Sequence, residues 1–154
     1  MILLAIDPGN TESAYVAYDT EALRPLSFAK VANFDLLGFL DGVKADELAV
    51  EMIASYGMAV GAEVFETCVW IGRFIERWSG CSHRLVYRRE VKLHLCGSAR
   101  AKDPNVRQAL IDLYGGKEKA VGTKKSPGPL YGISGDVWAA LGVAVTAAET
   151  EAAA

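Results

Sequence analysis

The chain has 154 residues, 51% of them apolar and 23% charged, with a formal charge of -3. That length fits one domain, and that much apolar material builds a real core, which excludes wholesale disorder. No apolar run approaches the roughly 20 residues of a membrane span, and the first ten residues lack the basic flank of a signal peptide. Three cysteines, Cys68, Cys81 and Cys96, are widely spaced and odd in number. They argue against a disulfide framework and for a reducing, cytoplasmic compartment.

The charge is unevenly spread. Residues 1–72 hold three Lys/Arg against eleven Asp/Glu, residues 73–125 thirteen against five, and residues 126–154 none against three. A block of +8 between segments of -8 and -3 points to a polyanionic partner, although a solvated charged surface has the same composition.

In chain order, Ile2, Leu3, Leu4, Ala5 and Ile6 form a short apolar run broken by Asp7-Pro8-Gly9-Asn10, a buried strand entering a turn. Residues 14–18 and 26–32 are expected to be neighbouring strands, with Arg24-Pro25 between them. Residues 34–43 read as a helix with Leu36, Leu37 and Leu40 on one side. The run 48–53, interrupted by Glu51, is typical of a strand buried on both faces. Residues 61–78 are the clearest helix, because Val64, Cys68, Ile71, Ile75 and Trp78 make one apolar stripe. Residues 85–87 read as a last strand. Asp103-Pro104 reads as an N-cap and first helical position, followed by Val106, Leu110 and Leu113. Residues 115–131, rich in Gly and Lys, are expected to be a mobile basic loop. Residues 136–148 form a final alanine-rich helix, and residues 149–154 a frayed tail. This alternation implies one α/β domain over residues 1–148, a mixed sheet flanked by helices.

Three carboxylates occupy positions that solvation alone does not explain. Asp7 ends the first strand, Glu51 interrupts an apolar one, and Asp136 opens the last helix. Each has a structural alternative: a turn acceptor, a strand end facing water and a helix N-cap, respectively. If they converge, their repulsion calls for a divalent cation, and an all-oxygen donor set suits Mg²⁺ or Mn²⁺. Two such ions clamp the attacking and leaving oxygens of a phosphodiester. The doublets Cys81-x-His83 and His94-x-Cys96 have the wrong spacing for structural zinc.

Four segments in order, IDPGNTESAYV, LAVEMIASYGM, REVKLHLCGSARAKDPNVRQAL and DVWAALGVAVT, resemble the RuvC family of Holliday-junction resolvases. These are RNase H-like nucleases, and the likeness is greatest to their bacteriophage branch. The resemblance implies an RNase H-like fold and a homodimer that cuts four-way junctions with Mg²⁺, two symmetric nicks matching two sites. It implies Asp7, Glu51 and Asp136 as metal ligands and Lys102 as a contact to the scissile phosphate. Tyr56, Arg100, Arg107, Lys124 and Lys125 are candidate DNA contacts. Alternatives are a nuclease for other branched DNA, such as forks or flaps, and a junction-binding protein without cleavage. The family's second acid in the closing helix falls on Ala139 here, or on Ile133 if the register slips by three. Asp103 is a possible substitute, with a helix-cap role as its alternative.

Overall fold

The computed structural model describes residues 1–80 and 82–150. Five strands form one sheet in the order β3-β2-β1-β4-β5. They are β1 (Ile2–Asp7), β2 (Glu12–Asp19), β3 (Arg24–Ala32), β4 (Glu47–Met52) and β5 (Ser82–Tyr87). β1 pairs antiparallel with β2 and parallel with β4; β2–β3 is antiparallel and β4–β5 parallel. The helices are α1 (Asn33–Gly42), α2 (Ala62–Arg77), α3 (Arg88–Cys96), α4 (Asp103–Leu113), α5 (Lys117–Ala120) and α6 (Val137–Glu149).

Because successive side chains of a strand point to opposite faces, the sheet sorts its apolar residues into two cores. Leu3 and Ala5 of β1, Ala14, Val16 and Tyr18 of β2, Ala49 of β4 and Val86 of β5 share one face with α3, α4 and α6. Leu4, Ile6, Leu48 and Val50 share the other with Leu36, Leu37 and Leu40 of α1 and Ile71 and Phe74 of α2. β1 is apolar on both faces because it lies at the centre of the sheet with helices on each side. α6 is buried nearly all round, which explains its run of Ala, Val and Leu. At Gly142 of α6 a Cβ would stand 3.1 Å from Val91 of α3, so the glycine permits close helix contact there.

Several sequence expectations need correction. The stripe of α2 is displaced: Thr67, Ile71 and Phe74 are buried, while Val64, Cys68 and Ile75 are only partly so. Cys68 is therefore half-buried at the edge of the core. Arg24 and Pro25 belong to β3 itself, and the turn precedes them. Pro25 is tolerated because β3 is an edge strand with a register shift opposite Ala17/Tyr18. The last strand starts earlier, and helix α3, unforeseen from the pattern, follows it directly. α3 is opened by the Tyr87 N–H donating to the Glu90 carboxylate (2.6 Å) and closed by Gly97 at φ 72°. The basic stretch 115–131 carries α5 and an isolated bridge between Gly122 and Pro127. Asp103 is the first residue of α4, not its N-cap, and its side chain is used elsewhere.

Candidate active site

The register builds the site. Lys30 lies opposite Ala14, and Ala14 opposite Asp7. One step beyond the Ile6–Val50 pair, Asp7 lies beside Glu51, which is opposite Val86. Lys30, Ala14, Asp7, Glu51 and Val86 thus make one row across all five strands. By alternation from Leu3 and Ala5, and from Ala49, Asp7 and Glu51 point to the face that α6 covers. They form the polar end of an apolar column. The turn after β1 holds Asp7 in place: the Gly9 N–H donates to Ser13 Oγ (3.1 Å), and Asn33 Nδ2 donates to the Gly9 carbonyl (2.8 Å). A Cβ at Gly9 would collide with the Glu12 carbonyl, so that turn requires glycine.

Asp136 precedes the first residue of α6 and brings a third carboxylate to the row. Its side chain makes no capping bond; it takes an ion pair from Lys30 Nζ at 2.7 Å. The N-cap alternative for Asp136 is therefore not how this side chain is used. Burial, with repulsion from Glu51 and Asp136, pushes the Asp7 carboxyl up to about 8. Burial also raises Glu51, opposed by the Arg88 guanidinium. Arg88 immediately follows β5; one terminal nitrogen lies 3.4 Å from Glu51 and the other pairs with Asp103. Its charge is reinforced by Glu51 and Asp103 against the penalty of burial. Among the described residues, Asp7 is the one carboxylate of the four without an ion-pair partner. No three His, Cys, Asp or Glu side chains among the described residues are gathered as a ready metal cluster.

A cavity of about 60 Å³ is lined by Arg88, Asp103, Arg107, Asp136, Trp138 and Ala139, among others. Ala139 faces this cavity, whereas Ile133 is buried in the core beneath α6. Arg107 lies over the Trp138 ring at 5.0 Å. Trp138 is 7% exposed, and its Nε1 has no hydrogen-bond partner. Lys102 is exposed at the N-cap of α4, next to Asp103, where its backbone N–H donates to Asn105 Oδ1 (2.9 Å). Arg100 is exposed two residues before it.

On the other side of Arg88 an open groove of about 400 Å³ includes Tyr56, Met58, Arg89 and Lys92. Tyr56 is 64% exposed and holds a φ of 49°, so core packing does not explain it. Lys124 and Lys125 are exposed on the small hairpin after α5 and line neither the cavity nor the groove. Of the zinc doublets, Cys81 lies outside the described residues, His83 is on β5, and Cys96 packs against the core. Sequence reasoning missed Arg88 and Lys30. The signal for both was the register: each side chain lies at the end of the carboxylate row or just past it.

A five-stranded mixed sheet in this order, flanked by helices on both faces, is an RNase H-like α/β fold. The chain is similar to the structure of RuvC from Thermus thermophilus, with a TM-score of 0.69 and 20% identity over 95% of this chain and 92% of that one. It is also similar to Thermus thermophilus RuvC in complex with a Holliday junction substrate, with a TM-score of 0.62 and 17% identity over 95% and 91% of the two chains. At these identities the likeness is one of fold. No protein-family model matches the sequence, and no curated protein matches it.

Proposed function

We propose that this chain is a metal-dependent, structure-selective DNA endonuclease of the RuvC type, of that family's bacteriophage branch, which resolves four-way junctions by paired phosphodiester hydrolysis. One observation carries the reading: Asp7 and Glu51 stand side by side at the end of the two central strands, with Asp136 entering from α6. The solved structure of similar fold in complex with a Holliday junction substrate supports the choice of DNA.

An all-oxygen set of carboxylates suits a hard divalent cation, which would draw Asp7, Glu51 and Asp136 closer together than they stand, since no three such side chains among the described residues are gathered as a cluster. A carboxyl pushed up to about 8 by burial and by two other carboxylates is a group short of positive charge. Asp7, Glu51 and Asp136 would hold Mg²⁺, or Mn²⁺ in its place, which supplies an activated water and neutralises the charge developing on the phosphate. The chain's own groups do the rest. Lys102, at the exposed head of α4, contacts the scissile phosphate. Tyr56 offers a stacking face to an unpaired base beside the basic groove. Arg100 and Arg107 hold the backbone near the cavity, and Lys124 and Lys125 grip a duplex arm further out.

Two symmetric nicks need two sites, which a homodimer supplies. The partner face is a different side of α2 from the stripe read in the sequence, since Ile71 and Phe74 are already spent on the core. Phe34, Phe65 and Val69 are respectively 70%, 63% and 63% exposed, Trp70 meets the Phe34 ring edge to face, and the Arg73 guanidinium lies over both rings. An apolar cluster of this kind marks an interaction surface.

The test is nicking of a synthetic four-way junction in Mg²⁺ and in Mn²⁺, with a fork, a flap and linear duplex as comparators. Symmetric nicks in the junction support the reading, and preferential cutting of forks or flaps moves the substrate. The ion pairs of Glu51 and Asp136 favour a second reading, a junction-binding protein without cleavage. Tight junction binding with no nick in either metal would select it.

A further inference from the structure

We propose that Arg88 is a positioning residue that couples the basic groove to the acidic row. A backbone phosphate seated in the groove takes its guanidinium from Glu51 and Asp103, so these carboxylates are released when DNA is bound. This role deepens the nuclease reading and rests on its choice of DNA, and it is independent of the ion the acids take.

Arg88 stands in the wall between two openings. It lines the cavity with Asp103, Arg107 and Asp136, and the groove with Tyr56, Arg89 and Lys92; among the described residues it alone lines both. The two sides differ in charge. On the cavity side its terminal nitrogens face Glu51 and Asp103. On the groove side it joins two further cations, and no carboxylate is among the lining residues. Tyr56 and Met58, 64% and 71% exposed, add uncovered apolar surface to the same groove. Cations beside an exposed aromatic ring are the chemistry that holds a nucleotide, phosphate on the cations and base on the ring.

The guanidinium cannot serve both sides fully. One terminal nitrogen is held by Glu51 and the other by Asp103. A phosphate gripped by two parallel N–H groups engages at least one terminal nitrogen, so it must share or take a donor that an acid already holds. Neither acid holds it firmly. The Glu51 contact is 3.4 Å, long beside the 2.7–2.9 Å of a good charge-assisted bond. The Asp103 side chain is 77% exposed, so water screens that pair. The Arg88 side chain itself is 30% exposed, which leaves it within reach of a ligand in the groove. Release of Arg88 frees Glu51 next to Asp7 in the row, and the acids are then open to gather as they do not in the free chain.

A double-mutant cycle on junction binding tests this without metal or cleavage. The full chain is titrated against a fluorescent synthetic four-way junction in chelator at fixed salt, and the Kd is read by anisotropy. Asp103→Asn frees the guanidinium, so in the presence of Arg88 it is expected to tighten binding about fivefold. In the Arg88→Met background the same change is expected to gain less than about twofold, the general effect of losing one negative charge. Arg88→Met alone should weaken binding and lower the log–log salt slope by about one. Lys92→Ala, which alters the groove and not the cavity, should also shrink the Asp103→Asn gain. Equal Asp103→Asn gains with and without Arg88 would overturn the coupling, as would an Arg88→Met protein with unchanged affinity and slope. If Arg88→Met does not fold by its melting curve, Arg88→Lys carries the same cycle, because an ammonium cannot bridge both acids and the gain should again shrink. Junction binding with a flat cycle would overturn this role and leave the DNA reading standing. No junction binding by any variant would overturn both.

Discussion

Asp7 and Glu51 end neighbouring strands at the centre of the sheet, whereas Asp103 and Asp136 stand at the heads of two helices, more than half exposed. The strand pair is held by backbone ladders on both sides and shielded by α6. Its charges are costly, and burial raises both carboxyls. The helix pair faces water and is matched by cations, Arg88 for Asp103 and Lys30 for Asp136. One half of the site is rigid and electrostatically frustrated; the other is exposed and already satisfied. A ligand cation relieves the first half and must compete in the second, so substitutions in the two halves should behave differently.

The largest contrast is expected in catalysis. Asp7→Asn or Glu51→Gln keeps the side-chain shape but removes charge from the buried half, and junction cleavage should fall by at least about a hundredfold with junction binding retained. A Glu51→Gln protein that cuts at near-normal rate would reject the assignment. Asp136→Asn, in the exposed half, should cost less, about tenfold, and should show mainly as a higher half-saturating Mg²⁺ concentration in a metal titration.

Stability should move in the opposite direction to activity. The Asp7 carboxyl titrates near 3.8 ordinarily and near 8 in the fold, so the native state holds its proton across that window. In metal-free buffer its contribution is fully present below about pH 4 and is lost as pH rises through about 8. The loss is on the order of a few kcal/mol, and Glu51, also raised, adds to it in the same direction. Asp7→Asn should therefore melt higher than wild type at pH 8.5 without metal and show a flatter melting temperature against pH. A wild-type melt that rises between pH 5 and pH 8.5 in chelator would contradict the frustration of the strand half.

A smaller effect is expected from sharpening the exposed half. Ala139 faces the cavity, so Ala139→Asp adds an oxygen without burying a charge in the core. Mg²⁺ should bind about fivefold more tightly, or roughly 1 kcal/mol. Melts with and without Mg²⁺ check this: a uniformly lowered melt would mean that the new carboxylate is not at the site. The smallest effect lies outside both halves. Removing Lys124 and Lys125 together should reduce the log–log salt slope of junction binding by about two and leave metal affinity unchanged.

Much of the strand half was legible in the chain itself. Alternation along a strand is local, so Asp7 is in phase with Leu3 and Ala5, and Glu51 with Ala49, whatever the pairing; that both carboxylates share a face follows from the register that sets Ala5 opposite Ala49. The alanine-rich closing helix was legible for the same reason, since a helix without a polar face has to be buried. The helix half was not. Arg88 reads as one base among thirteen in a basic block, and Lys30 as a solvated lysine on an edge strand. Glu51 and Asp136 lie far along the chain from Arg88 and Lys30, Asp103 lies on another helix, and it takes the register of the sheet together with the placing of α4 and α6 to bring each base to its acid. Ala139 and Ile133 were likewise indistinguishable until α6 was set on the sheet, turning one toward the cavity and the other into the core. The sequence by itself determined which carboxylates the central strands must present, because side-chain direction follows from backbone geometry residue by residue. Which cations neutralise them was decided by tertiary structure alone, because an ion pair depends on a distance across the fold that no local pattern encodes.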